Sequence, residues 1–421
     1  MIFAKGTILP DEQLPQVLGQ LEEDLIAVRG QAPLFPRVVI DACQRLLERL
    51  DRGELDALIA QYATPQLLSA LKQYRHLLRP ENLEYKLSVE TGGLFSREDR
   101  PFGSTAVVPL GTLLHITAGN LDGLPAFSVV EGLLTGNVNL LKLPSGDSGL
   151  SVALLKLLTD TVPRLAPYVY IFSIPSSDRS SLQALADLAD GIVTWGGDEA
   201  IRAMRAMAPA GCKLMEWGHR LSFAYLSGAG RGEELEALAG HIIKTGGLLC
   251  SSCQVIYLDT DDLNEARRFC QTFLPILEQA AARFHQTPGQ AAMATLHGYE
   301  HRLELAVAGS SAQVFQGRGC SVTLCPDQSL ELSPLHGNVL VKCLPREGLV
   351  QALFPQRGRL QTVGLLCPRQ EREALCALLS RAGVTRITTA AHMSEPFLGE
   401  CHDGEYPLRR YLRLVDVEAS L

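Results

Sequence analysis

The stretch Thr105-Ala-Val-Val-Pro-Leu-Gly-Thr-Leu-Leu-His-Ile116 opens the pattern that decides the fold. It is a β-branched and apolar run cut by Pro109 and Gly111, and it reads as two strand pieces, because proline donates no ladder hydrogen bond and glycine weakens a strand interior. A regular alternation follows: helix over 125–134, strand over 138–142, a helix opening near Asp147 as its N-cap, strand over 169–174, helix over 180–189, strand over 191–195, helix over 199–206 and strand over 213–217. Strands this apolar, separated by helices, predict a parallel sheet covered on both faces, hence a doubly wound, Rossmann-type α/β domain.

Upstream, residues 11–85 space their apolar side chains at the helical period (Val39, Ala42, Leu46, Leu50), which predicts several amphipathic helices, and 87–89 reads as a short strand. Downstream, a helix over 233–245 leads into Thr245-Gly-Gly-Leu-Leu-Cys-Ser-Ser-Cys-Gln254, and a buried strand runs on from Gln254. A long helix follows over 262–284. The segments 303–308, 312–315, 321–324 and 339–342 read as strands or short helices, and 362–366, 370–379 and 384–387 as strand, helix and strand. This is a second, smaller α/β domain. The apolar run 411–417 suits a segment that returns to the first domain or reaches another subunit. The expected division is 1–222, 223–395 and a C-terminal segment 396–421.

Composition limits the function. With 421 residues, 46% hydrophobic, the chain can bury a large core. A net charge of −8 offers no basic stripe for phosphates, so nucleic acid is not an expected partner. No apolar run reaches the roughly 18 residues of a membrane span. Eleven scattered cysteines, and a beginning (residues 1–13) without a basic region leading into an apolar one, set an expectation of a reducing, cytoplasmic location.

Ligands of doubly wound sheets bind beyond the carboxyl ends of the strands, so the turns there hold the candidate site residues. Asn120, in Thr117-Ala-Gly-Asn-Leu-Asp-Gly123, reads either as a hydrogen-bond donor to an oxygen or as an Asx-turn or helix cap. Lys142 ends its strand and reads as a ligand contact or a solvated lysine, with Ser145 just beyond it. Gly196 and Gly197 open a helix whose N-terminus is available to a phosphate. Glu216 ends the last strand of the alternation, as a functional or simply exposed carboxylate. Cys250 lies at a strand entrance, where a thiol is held still with its sulfur open; the alternative is a buried structural cysteine.

Other signals point nowhere. Gly146-Asp-Ser-Gly149 imitates the nucleophile loop of trypsin-like proteases, but it precedes a helix rather than lying in an all-β barrel. The Cys250/Cys253 pair has no second half for zinc, and a strand rather than a helix follows it, unlike a thioredoxin motif. No metal is expected.

The ordered set Asn120, Gly136-Asn137 with Lys142, Gly196-Gly197, Glu216-Trp-Gly218 and Cys250-Ser-Ser-Cys-Gln254 resembles the aldehyde dehydrogenase superfamily. Within it, His115-Ile-Thr-Ala-Gly-Asn120, Cys250-Ser-Ser, Ser333-Pro, His402-Asp-Gly404 and Pro407-Leu408 resemble the LuxC family of acyl-CoA and acyl-protein thioester reductases. The resemblance covers residues 85–421 and implies an aldehyde-dehydrogenase-like fold, a cofactor domain plus a smaller catalytic domain.

It also implies roles. Cys250 is the nucleophile that takes the acyl group, Asn120 with the Cys250 backbone N–H holds the oxyanion, and Lys142 with Ser145 lies at the adenosine ribose. Gly196 and Gly197 pass the pyrophosphate or nicotinamide ribose. Ser145 places no acidic side chain against a 2′-phosphate, so NADPH is the expected cofactor, with NADH admissible. His219-Arg220 departs from the family's glycine-lysine, which leaves Glu216 either in proton transfer or in a structural place. Cys253 is a bystander or, under oxidation, a disulfide partner of Cys250. The implied partners are an acyl-CoA or an acylated protein of the acyl-protein synthetase kind, and further copies of the chain. Two alternatives share the nucleophile or the fold: an acyl-cysteine transferase or thioesterase without nicotinamide chemistry, and a non-catalytic scaffold of an acyl-transfer complex.

Overall fold

The computed structural model describes residues 1–419 apart from 63–64, 93–97, 101–102, 118–122, 229, 231 and 285–286. The chain divides into two compact units, Met1–Gly218 with Leu398–Leu421, and His219–Phe397.

In the first unit a seven-stranded sheet runs Thr7–Leu9, Ile2–Ala4, Val169–Phe172, Val138–Lys142, Thr112–Ile116, Gly191–Trp195, Lys213–Trp217. The last five are parallel, with Leu114 opposite Leu140 on one side and Ile192 on the other. Helices Leu124–Leu134, Leu150–Thr161, Arg179–Asp187 and Asp198–Met207 connect them. Side by side stand the third, second, first, fourth and fifth strands of the alternation, so the strand order reverses between Thr112–Ile116 and Gly191–Trp195. That reversal opens a crevice at the carboxyl ends, the place where such sheets bind ligands.

Several expectations need correction. Residues 87–89 are not a strand: they belong to helix Pro80–Thr91, which Pro80 starts and left-handed Gly92 (φ 59°) stops, and Leu83, Leu87, Glu90 and Thr91 are buried along one side. Three residues of β propensity do not compete with a helix framed at both ends. Asp147 is not a helix N-cap. Its Oδ1 accepts from the Gly149 N–H at 2.8 Å in an Asx-type turn, and the helix begins at Leu150 behind Gly149. The Thr105 piece leaves the parallel sheet; strand Gly103–Pro109 pairs antiparallel with Leu412–Glu418 and Glu98–Arg100. The hairpin Ile2–Ala4/Thr7–Leu9 had no signal beyond Lys5-Gly6, both left-handed (φ 51° and 85°), as a two-residue hairpin turn requires.

The second unit holds another seven-stranded sheet: Gln313–Gly317, Cys320–Cys325, Asn338–Cys343, Cys253–Leu258, Leu221–Leu226, Leu360–Leu366, Arg386–Thr388. Only the Gln313–Gly317 edge is antiparallel. Helices Gly232–Thr245, Leu263–Phe284 and Arg372–Ala382 pair with it, and residues 303–307 end the helix Pro288–Val307 rather than forming a strand. The central strand Leu221–Leu226 was not foreseen. Its six residues are all buried, a pattern with no alternation to betray a strand.

Candidate active site

In the second unit the Cys250 loop is built by a chain of polar contacts. Helix Gly232–Thr245 gives way to Gly246 (φ 57°) and Gly247 (φ 80°). The left-handed φ of Gly247 favours glycine, and a Cβ there would also crowd Leu335 Cδ2 at 2.8 Å. The Gln254 amide clamps this turn, its Nε2 donating to the Gly247 carbonyl at 2.9 Å while its Oε1 accepts from the Ser333 N–H at 3.1 Å and hydroxyl at 2.8 Å. Ser222 Oγ donates to the Cys250 carbonyl at 2.7 Å and accepts from the Thr362 N–H at 3.0 Å, fixing the nucleophile's own backbone to the central strands.

A second support comes from the far end of the unit. The Arg386 guanidinium donates to the carbonyls of Met393 (2.6 Å), His392 (3.0 Å) and Glu395 (2.6 Å), and Ser394, held in that turn, meets Ser251 Oγ to Oγ at 2.7 Å. From below, buried His241 accepts the Cys253 N–H on Nε2 at 3.1 Å, which leaves Nδ1 protonated in the neutral ring. Burial first, then the nearby Lys244 charge, push its pKa down to about 4.

Cys250 itself is exposed, the one exposed thiol among the described cysteines. Cys253 is its opposite: buried, with Sγ donating to the Val255 carbonyl at 3.4 Å, its pKa pushed up to about 12 by burial. Neither cysteine is in a disulfide. Of this machinery the sequence singled out Cys250, Gln254 and the Ser333-Pro pair; Ser222, His241, Arg386 and Ser394 carry no local motif.

In the first unit the reversal of strand order gathers the other candidates. Thr117 follows one of the two strands at the crevice and Gly196-Gly197 the other. Asn120 falls within 118–122, outside the described residues; the N-cap position of the next helix belongs to Gly123. Lys142, at the end of the adjacent strand, is 5% exposed and donates to Ser176 Oγ at 3.1 Å. No carboxylate among the described residues pairs with it, and burial lowers its pKa. A buried cation whose partner among the described residues is a hydroxyl fits a polyhydroxylated, anionic ligand such as a nicotinamide dinucleotide. Ser145 is exposed in the turn beyond it.

Gly196 donates to the Trp217 carbonyl at 3.2 Å, and Gly197 caps helix Asp198–Met207. Gly197 has an ordinary φ of −72° and nothing within 4 Å of an added Cβ, so neither backbone nor packing demands glycine there, leaving room for a ligand's close approach. Asp198 and Glu199 in the first turn oppose a phosphate at that N-terminus, however. Glu216 is held by Arg205, whose Nε and second guanidinium nitrogen donate to its two oxygens at 2.6 and 2.7 Å. His115, from the His115-to-Asn120 motif, is fully buried between Ser128 Oγ (2.8 Å) and Asn139 Oδ1 (3.0 Å), with its pKa lowered to about 4 by desolvation, and is a packing residue. Among the described residues no cluster suits a metal ion, and no helix is long and apolar enough to cross a membrane.

The Acyl-CoA reductase (LuxC) family model matches residues 39–414. The long-chain acyl-protein thioester reductase of Aliivibrio fischeri is 24% identical over 323 residues, covering 74% of this chain and 64% of that protein. That of Vibrio harveyi is 23% identical over 316 residues, covering 74% and 65%. The chain thus spans just under two thirds of the length of these relatives. Among solved structures, a bifunctional proline utilization A protein superposes with TM-score 0.74 at 16% identity, over 98% of this chain and 45% of that one. A lactaldehyde dehydrogenase gives 0.66 at 14% identity, over 99% and 95%. A Sinorhizobium meliloti protein described as a methylmalonate-semialdehyde dehydrogenase, complexed with NAD, gives 0.70 at 12%, over 99% and 91%. At these identities the likeness is one of fold, and the fold is that of the aldehyde dehydrogenases.

Proposed function

The chain belongs to the LuxC family of acyl-CoA reductases, and on that premise we propose that it reduces an acyl thioester, carried by CoA or by a partner protein, to the aldehyde through an acyl group held on Cys250. The observation that carries this reading is the Cys250 loop: an exposed thiol whose backbone is fixed by Ser222 and whose flanks are fixed by Gln254 and Ser394. A nucleophile needs that combination of open sulfur and immobile main chain.

The Cys250 thiolate attacks the thioester carbonyl and forms a new sulfur–carbon bond. The oxyanion, held by the Cys250 N–H and the Asn120 amide, then collapses and breaks the bond to the carrier, which leaves as a thiolate and takes up a proton. This exchange is redox-neutral. A nicotinamide cofactor, when bound, supplies the hydride that brings the acyl carbon to the aldehyde level. Lys142 and Ser145 would hold its adenosine ribose and Gly196-Gly197 its phosphates or nicotinamide ribose. With a hydroxyl rather than a carboxylate at Ser145, NADPH is the preferred form. The chain's own part is to retain the thioester on Cys250, keep water from hydrolysing it, and release the aldehyde as sulfur departs.

Glu216, committed to Arg205, takes a structural place in this scheme. Strand Leu412–Glu418 is an edge strand with Leu414, Val415 and Val417 exposed, which supports association with a second copy of the chain. A cytoplasmic setting agrees with eleven cysteines, none of them in a disulfide.

Incubation with acyl-CoA and NADPH, following nicotinamide absorbance and the mass of the protein together, tests the reading. Oxidation of NADPH with an acyl adduct on Cys250 is expected. An adduct without oxidation would make the protein an acyl-cysteine transferase or thioesterase, and neither signal would make it a scaffold.

A further inference from the structure

In the second unit the loop 326–337 joins strands Cys320–Cys325 and Asn338–Cys343, and beneath it lies a lysine that the chemistry of Cys250 does not use. Lys342, on the second of these strands, has a fully enclosed side chain. Its Nζ donates to Asp327 Oδ1 at 2.6 Å, to Ser329 Oγ at 3.1 Å and to Glu331 Oε1, three alternate residues of the loop. The two carboxylates are half exposed and close over the ammonium from the solvent side. A desolvated ammonium is tolerated only with such partners, and without it the two carboxylates would repel each other.

The far end of the same loop reaches the nucleophile turn. Ser333 gives both its N–H and its hydroxyl to Gln254, whose amide holds the Gly247 carbonyl, and the His336 N–H donates to the Gly246 carbonyl at 2.7 Å. The backbone here is strained: Leu335 (φ 67°) and His336 (φ 50°) are left-handed without being glycine, and Gly337 (φ 91°) follows. Such conformations persist only where surrounding contacts over-determine them. On the strand side Asn338 does this, its Nδ2 donating to the Leu335 carbonyl at 2.8 Å. On the other side stand the bonds of Lys342, with Tyr257 Oη donating to the Gln328 carbonyl at 3.0 Å and Gln356 Nε2 to the Leu330 carbonyl at 2.9 Å.

We propose that Lys342 is a positioning residue for Cys250: by drawing Asp327, Ser329 and Glu331 together, it sets the loop so that Ser333 and His336 hold the Gly246-Gly247 turn from which the nucleophile emerges. Tyr257 and Gln356 fix two points of the loop main chain, and the lysine neutralises its carboxylates. The inference rests on the reading of Cys250 as the acylated thiol.

The test compares the full chain as wild type, Lys342→Met, Gln254→Ala and the double variant. Cys250 acylation by octanoyl-CoA is followed by mass over a range of concentrations, and amide hydrogen exchange is followed in peptides covering 246–252 and, as a reference, 138–142. Lys342→Met is expected to lower the saturating acylation rate at least about tenfold, since a misplacement of about 1 Å costs up to about a hundredfold, and to leave the half-saturating concentration within about twofold. In the double variant the two losses are expected not to multiply, because both substitutions release the same turn. Losses that multiply, a change confined to the half-saturating concentration, or an unchanged rate in folded Lys342→Met overturns the proposal. Should Lys342→Met not fold, Asp327→Asn, which leaves the lysine its bond to Glu331, takes its place in the same cycle with the same outcomes. Should no acyl-CoA acylate the wild type, the acyl-thioester reading falls and exchange decides alone. Faster exchange over 246–252 in Lys342→Met with 138–142 unchanged then supports the proposal; exchange unchanged at 246–252, or raised equally in both, overturns it.

Discussion

Arg205 and Glu216 form a two-pronged ion pair in which each carboxylate oxygen of Glu216 accepts from a different guanidinium nitrogen, at 2.6 and 2.7 Å. Such a fork fixes the orientation of the carboxylate and occupies both of its oxygens, which gives it a structural place. Glu216→Gln and Arg205→Met should therefore each leave Cys250 acylation and NADPH oxidation within a few-fold of wild type. A loss of about a hundredfold or more in Glu216→Gln alone, the scale of a lost general acid or base, would return Glu216 to the proton-transfer machinery.

Cys250 and Cys253 should part company on substitution. Cys250→Ala removes an exposed sulfur and should abolish acylation with a thermal midpoint near wild type. Cys253→Ala empties a small buried volume and should cost about 1 kcal/mol of stability while most activity remains. Loss of acylation in both, with both folded, would contradict the assignment.

Asn120→Ala should lower turnover by about a hundred- to a thousandfold, the effect of removing one oxyanion donor, with little change in NADPH affinity. The N-cap position of the following helix is Gly123, so a capping loss of about 1 kcal/mol is not expected. A destabilised variant with intact turnover would take Asn120 out of the site.

Ser145→Glu should weaken NADPH far more than NADH, because a carboxylate in that exposed turn adds like-charge repulsion to a 2′-phosphate. Dissociation constants for the two cofactors give the ratio. An unchanged ratio would place the adenosine elsewhere.

Acid should loosen the nucleophile loop through His241. Its folded pKa, about 4, lies below the ordinary histidine value of 6.5, so the unfolded state binds the extra proton first as pH falls. Stability is full above about 6.5 and is lost on descent towards 4, by about 3 kcal/mol for this residue on the linkage of 1.36 kcal/mol per pKa unit. His115, also lowered to about 4, adds a loss of the same sign in the other unit. Thermal midpoints between pH 7 and 4 should fall less steeply in His241→Gln than in wild type. Equal slopes would mean that His241 is not the group that titrates.

Sequence alone determined the alternation of strands and helices from Thr112 to Trp217, because each element there is framed by its own local signals: apolar β-branched runs, glycines and prolines at the ends, and one period per element. It also picked out the Cys250 turn, since Gly246-Gly247 before a buried strand is a local statement about the backbone. Tertiary structure alone decided what surrounds that turn. Ser222, His241 and Ser394 reach the loop from separate elements, with Arg386 holding the turn that carries Ser394, and their hydrogen bonds depend on the order in which strands pair, which no local pattern encodes. The same holds for the fully buried strand Leu221–Leu226, whose uniform apolar run has no period to read, and for Leu412–Glu418, whose place beside Gly103–Pro109 is fixed by pairing across some three hundred residues of chain. Local propensity sets what a segment can be; burial and pairing between distant segments set what it touches, and the chemistry proposed for Cys250 depends on the latter.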